Sequence, residues 1–122
     1  MKKALLVCLA LTFAGSASAQ HVHQKGPNGG PLEDVAGVHL ELITSGRNIT
    51  INVFDDAVKP MTSKGFTATA LLTSGSDKEP LTLVESGNSL KAEAKKDIAP
   101  DATISVTVKT PAGKSGQVKF KN

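Results

Sequence analysis

The sequence predicts an all-β fold, an antiparallel β-sandwich of about seven strands with an immunoglobulin-like layout, and three observations predict it. Beyond residue 37, short runs alternate apolar with polar residues, as strands with one buried and one solvated face do. Clusters of Gly, Pro, Asn, Asp and Ser separate these runs at even intervals. No long stretch repeats its apolar residues with the helical period. A small open barrel is the alternative closure of the same strands. Trp and Tyr are absent, so the aromatic pins of an antibody-type domain are missing.

Residues 1–19 read as a signal peptide. Met1-Lys2-Lys3 leads into an apolar run over 4–14, which ends at the small residues Gly15-Ser16-Ala17-Ser18-Ala19, and this order predicts export to the periplasm with cleavage after Ala19. The run is about eleven residues, short of the roughly 20 that a spanning helix needs, so no stable membrane insertion is expected. Cys8 lies inside the run and follows Val7, which is not the setting of a lipidated cysteine. It is the single cysteine, so the mature chain is expected to have neither a disulfide nor a thiol nucleophile.

Removing 19 of the 122 residues leaves 103, the size of one domain. Taking Lys2 and Lys3 from the 14 basic residues leaves 12 against 11 acidic ones, a net charge of +1. A balance that even does not point to nucleic acid or to an anionic membrane.

Residues 20–35 are rich in His, Gly and Pro and have no period, so they read as an extended arm leading into a β-domain over 36–122. The first hairpin joins strands 38–44 and 48–55. Its apolar sets, Val38, Leu40, Leu42 and Ile49, Ile51, Val53, must share one face, which sets the register. A two-residue loop at Gly46-Arg47 pairs Leu42 with Ile51 and Leu40 with Val53, with Gly46 at the positive-φ position of a type II′ turn. A second hairpin joins 66–73 to 81–84 through Ser74-Gly75-Ser76-Asp77. Leu90, Ala92 and Ala94 alternate with Lys91, Glu93 and Lys95 as a further strand, with a short helix as the competing reading. Ile104, Val106 and Val108 form the clearest strand, and 117–121 closes the domain with Val118 and Phe120 inward.

No nucleophile elbow, phosphate loop or dinucleotide fingerprint is present, and the expectation is a binding protein, not an enzyme, with no organic cofactor. The three histidines, His21, His23 and His39, lie together near the start. His21 and His23 in an extended arm place both rings on one side, about 6–7 Å apart at Cα. His39 and Glu41 obey the same period on the first strand and point away from the core face, standing across from Phe54 and Asn52. An arm folded over this face would join three imidazoles and a carboxylate, a donor set that suits zinc, nickel, cobalt or oxidised copper. A plainer account stands beside it, in which the tail histidines are solvated and His39 with Glu41 is a polar surface pair. Met61 is the one thioether of the mature chain and a weak pointer to reduced copper, against ordinary loop packing. Asp55-Asp56 offers carboxylates for calcium, or simply a turn.

Gly26-Pro27-Asn28-Gly29-Gly30, then Gly37-Val38-His39-Leu40-Glu41, then Asp55-Asp56-Ala57-Val58-Lys59-Pro60 give the chain a resemblance to the small N-terminal domain of periplasmic adaptors of cobalt-zinc-cadmium heavy-metal efflux pumps, and to related stand-alone exported proteins. The resemblance covers residues 20–60. The helical hairpin and lipoyl-like parts of a full adaptor have no room in the remaining chain. It implies a β-sandwich concerned with divalent metal outside the cytoplasm, carried by His21, His23, His39 and Glu41, with an envelope protein or a metal efflux component as partner. The alternative function is a protein-interaction module of the envelope with no metal site.

Overall fold

The computed structural model describes residues 24–122; the segment expected to be a signal peptide, and His21 and His23, lie outside the described residues. The fold is all-β and antiparallel, a sandwich of two sheets nearly closed as a barrel. Eight strands build it: β1 (Leu32–Val35), β2 (Val38–Ser45), β3 (Asn48–Phe54), β4 (Thr67–Ser74), β5 (Asp77–Ser86), β6 (Ser89–Glu93), β7 (Thr103–Lys109) and β8 (Ser115–Lys121). Their order across the sheet is β1-β2-β3-β6-β5-β4-β7-β8. β3 to β6 make a Greek key, in which three hairpin-linked strands follow the long connection after β3.

The strand absent from the expectation is β1, which occupies the last four residues of the segment read as an arm. Four residues are too few for a period to show. The segment around Leu90 is the strand β6 and not a helix, because pairing with β3 on one side and β5 on the other overrides its helix propensity. β5 also begins earlier than expected and runs through Pro80. Pro80 is tolerated because residues 77–83 of β5 pair only with β4, while 84–86 pair with β6. The proline therefore lies on a locally open edge, where a missing N–H costs no ladder bond.

The first hairpin has the register set by burial: Leu42 faces Ile51, Leu40 faces Val53, His39 faces Phe54 and Glu41 faces Asn52. The loops β2–β3, β4–β5 and β5–β6 all read Ser-Gly-X across two turn residues, with φ of 58° at Gly46, 60° at Gly75 and 62° at Gly87. Arg47 has no positive φ, which excludes type I′ and fits the expected type II′ turn.

One core lies between the sheets. Leu40, Ile49, Ile51, Val53 and Leu90 from one side meet Ile104, Val106, Val108 and Phe120 from the other, all fully buried or nearly so. Each such side chain contributes about 1.5–3 kcal/mol through burial. A second, smaller layer lies on the opposite face of the first hairpin, where Leu32, Glu41 and Phe54 are buried outside the main cluster. That layer positions the candidate site.

Candidate functional site

Period-2 alternation puts Glu41 on the face of β2 away from Leu40 and Leu42, where solvent is the default expectation. Yet Glu41 is 0% exposed. The segment before β1 covers it. Lys25 and Pro31 form an antiparallel bridge, Gly26 N–H donates to the Gly30 carbonyl at 2.7 Å, and the carbonyl of Pro31 accepts from Leu42 N–H at 3.1 Å. The Gly26–Gly30 loop is thereby laid across the first hairpin.

This loop is a receptor for the Glu41 carboxylate. Asn28 N–H donates to Oε2 at 2.8 Å and Gly30 N–H to the same oxygen at 3.1 Å. Asn28 Nδ2 donates to Oε1 at 2.8 Å, and Asn52 Nδ2, from the facing strand, donates to it at 3.1 Å. Ser89 Oγ in turn donates to Asn52 Oδ1 at 2.6 Å and orients that amide. Burial alone raises the Glu41 pKa. Donation from the Asn28 and Asn52 side chains and from the backbone of Asn28 and Gly30 outweighs it and holds the carboxyl below its ordinary 4.5.

The glycines are required by proximity. A Cβ on Gly26 would collide with the Glu41 carboxylate, and one on Gly30 with the Leu42 carbonyl. The motif Gly26-Pro27-Asn28-Gly29-Gly30 therefore supplies amide donors and close approach.

Of the residues expected to hold a metal, the described part places two. His39 is half-buried on the same outer face as Glu41, with Asp34 across from it on β1 and Phe54 on β3. Glu41 stands one row further along, opposite Leu32. Its four lone-pair positions receive four donors, so it acts as the clamp of the arm and offers no open oxygen to an ion. Among the described residues, no group of three or more His, Cys, Asp or Glu side chains is arranged to hold a metal. Met61 is half-buried and packs against the core. Asp55 Oδ1 accepts from the backbone of Ala57 and of Lys59, each at 2.9 Å, which makes it the organiser of a turn.

The sequence placed Asn52 across from Glu41 but not the other donors to its carboxylate, Asn28 and Gly30, nor Ser89, which orients Asn52. One signal was available, the pairing of Glu41 with Asn52 in one cross-strand row, since a carboxylate beside an amide is a hydrogen-bonded pair once covered. Among the described residues no helix is long and apolar enough to cross a membrane. The chain matches no protein-family model, no curated protein and no solved structure.

Proposed function

We propose that the protein is a periplasmic accessory binding protein that captures or buffers a divalent metal ion, zinc, nickel, cobalt or copper, between the histidines of the arm and His39 of β2. The observation that carries this reading is the Glu41 clamp, because it fastens the arm to the face that bears His39. The direction of entry supports it as well. Stepping back from Lys25 to Gln24 follows β1 from Pro31 to Leu32, whose N–H donates to the Gln24 carbonyl at 2.8 Å. That direction leads towards the row of Asp34 and His39. His21 and His23 immediately precede this point in the chain. In this reading His21, His23 and His39 are the ligands, Glu41 is a positioning residue, and no reaction is catalysed.

Calorimetric titration of the mature chain with zinc, nickel and copper at neutral pH, alongside His23→Ala and His39→Ala, tests the proposal. One-to-one binding that both substitutions abolish is expected, with affinity falling on acidification, because ligation needs unprotonated imidazole. No binding, or weak binding untouched by His39→Ala, overturns it. The second reading, a docking module for an envelope protein with incidental histidines, is favoured by the apolar side chains left exposed on β5 and β4: Val84 is 64% exposed and Leu71 37%.

A further inference from the structure

The near-even balance of 12 basic and 11 acidic residues beyond residue 19 hides a polarised surface. On β5, β4, β7 and β8 the residues facing away from the core are read directly from the register, because Ala68, Ala70 and Leu72 pair inward with Val108, Val106 and Ile104. The outward positions carry Lys78 on β5, Lys109 on β7, and Lys119 and Lys121 on β8, all exposed, and no Asp or Glu. No carboxylate among the described residues forms an ion pair with these ammonium groups. Between the lysines lies a row of hydroxyls. Thr82, Thr69 and Thr107 stand side by side on adjacent strands, and Gln117 continues the row on β8.

A shallow groove of about 580 Å³ runs over this face, lined by Thr67, Thr69, Thr82 and Thr107, with Lys109 and Val84 along it. The one carboxylate in its lining, Glu85, is engaged by the Gly65 N–H at 2.9 Å. Adjacent hydroxyls repeat at the strand spacing of about 4.8 Å, close to the length of one pyranose unit along a glycan.

We propose that this groove binds an acidic polysaccharide of the uronic-acid class, with lysine ammonium groups meeting carboxylates, threonine hydroxyls exchanging hydrogen bonds with sugar hydroxyls, and threonine methyls supplying apolar contact. The exposed apolar side chains of this face, Leu71 and Val84, are what a protein partner could use. The face bears no Tyr, Trp, Met or Arg, and Phe66, which lines the groove, is only 5% exposed, so the residues that anchor protein interfaces are missing from its surface. It has no aromatic platform for the bases of single-stranded nucleic acid. Being concave, it also fits an extended chain better than a flat lipid surface. The inference is independent of the metal reading, since none of its residues lies on β1, β2 or the arm.

Native electrophoresis of the full protein through gels containing alginate, dextran or neither tests it, with phosphatidylglycerol vesicles assayed in parallel by sedimentation. Alginate should retard the protein while dextran does not, and retardation should vanish at about 0.5 M salt. Lys109→Glu with Lys119→Glu should weaken retention roughly tenfold or more, whereas Lys25→Glu with Lys59→Glu, the same charge change placed elsewhere, should not. Thr69→Val with Thr107→Val keeps charge and shape and should also weaken retention; far-UV circular dichroism checks that each variant is folded. The proposal is overturned by an absence of retardation in alginate, by equal weakening in the charge-matched control, by unchanged retention in the threonine variant, or by preferential capture on the vesicles.

Discussion

The two outward faces of this barrel obey the same alternation and meet opposite fates. On β1, β2 and β3 the outward row holds Leu32, Glu41 and Asn52, and a glycine loop seals it until Glu41 is completely buried. On β5, β4, β7 and β8 the corresponding rows hold threonines and lysines that stay open. A period of two separates the faces of a strand but says nothing about what is later laid across one of them. The covered face holds its polar group through saturated hydrogen bonding, and the open one through water, so substitutions on the two should differ sharply in cost.

The largest effect is expected where both sheets contribute, which would erase the contrast. Leu40→Ala should cost about 2–5 kcal/mol in urea unfolding followed by far-UV circular dichroism, because Leu40 belongs to the core shared by the two sheets. A loss under about 1 kcal/mol would mean that the sheets do not unfold as one unit.

Next comes the clamp. Glu41→Ala leaves the donors of Asn28, Gly30 and Asn52 without their acceptor and should cost about 1–3 kcal/mol. Gly30→Ala should act similarly through its clash with the Leu42 carbonyl. Both should expose the segment before β1 to hydrogen exchange. Thr69→Val on the open face should stay within about 0.5 kcal/mol, and comparable losses at the two sites would break the comparison.

The clamp also carries a pH signature. Its lowered pKa means that the folded protein holds this proton more weakly than the unfolded chain does. Glu41 therefore adds stability at pH above its ordinary 4.5, and that contribution is lost as pH falls from there through the lowered value. Urea midpoints between about pH 6 and pH 3 should fall less steeply in Glu41→Gln than in the parent chain. Parallel slopes would show that the carboxylate is not the group responsible.

The smallest effect belongs to the Arg47–Glu93 pair beside the first turn. Its ion contact is 2.6 Å, but the side chains are 52% and 58% exposed. Arg47→Ala should change stability by less than about 1 kcal/mol, and by less still in high salt.

Much of the fold was legible because burial constrains it twice. The register of β2 with β3 followed from the need to keep Leu40, Leu42, Ile51 and Val53 together, and the turn glycine agreed with it. β1 and the early start of β5 were not legible, since four residues show no period and Pro80 marks a break unless one strand edge is known to be open. The site was half legible. The outward direction of His39 and Glu41 followed from alternation, but the covering of Glu41 depends on backbone N–H groups of Asn28 and Gly30, and a backbone donor has no residue type to recognise. The Gly26–Gly30 motif, which carries part of the resemblance in the sequence, is also the lid on a carboxylate.

The shared Ser-Gly-X turns also shape how the chain assembles. Each joins neighbours by two residues, so the β2–β3, β4–β5 and β5–β6 hairpins can form on the scale of about 1–10 μs. β3 must still find β6, and the pair Ile51 and Leu90 encloses the whole intervening hairpin and its long connection. Closing that loop, and the comparably long one between Ala68 of β4 and Val108 of β7, should be slow beside hairpin formation. Mutations in the tight turns should therefore mostly leave the refolding rate alone, and those at the β3–β6 and β4–β7 seams should change it.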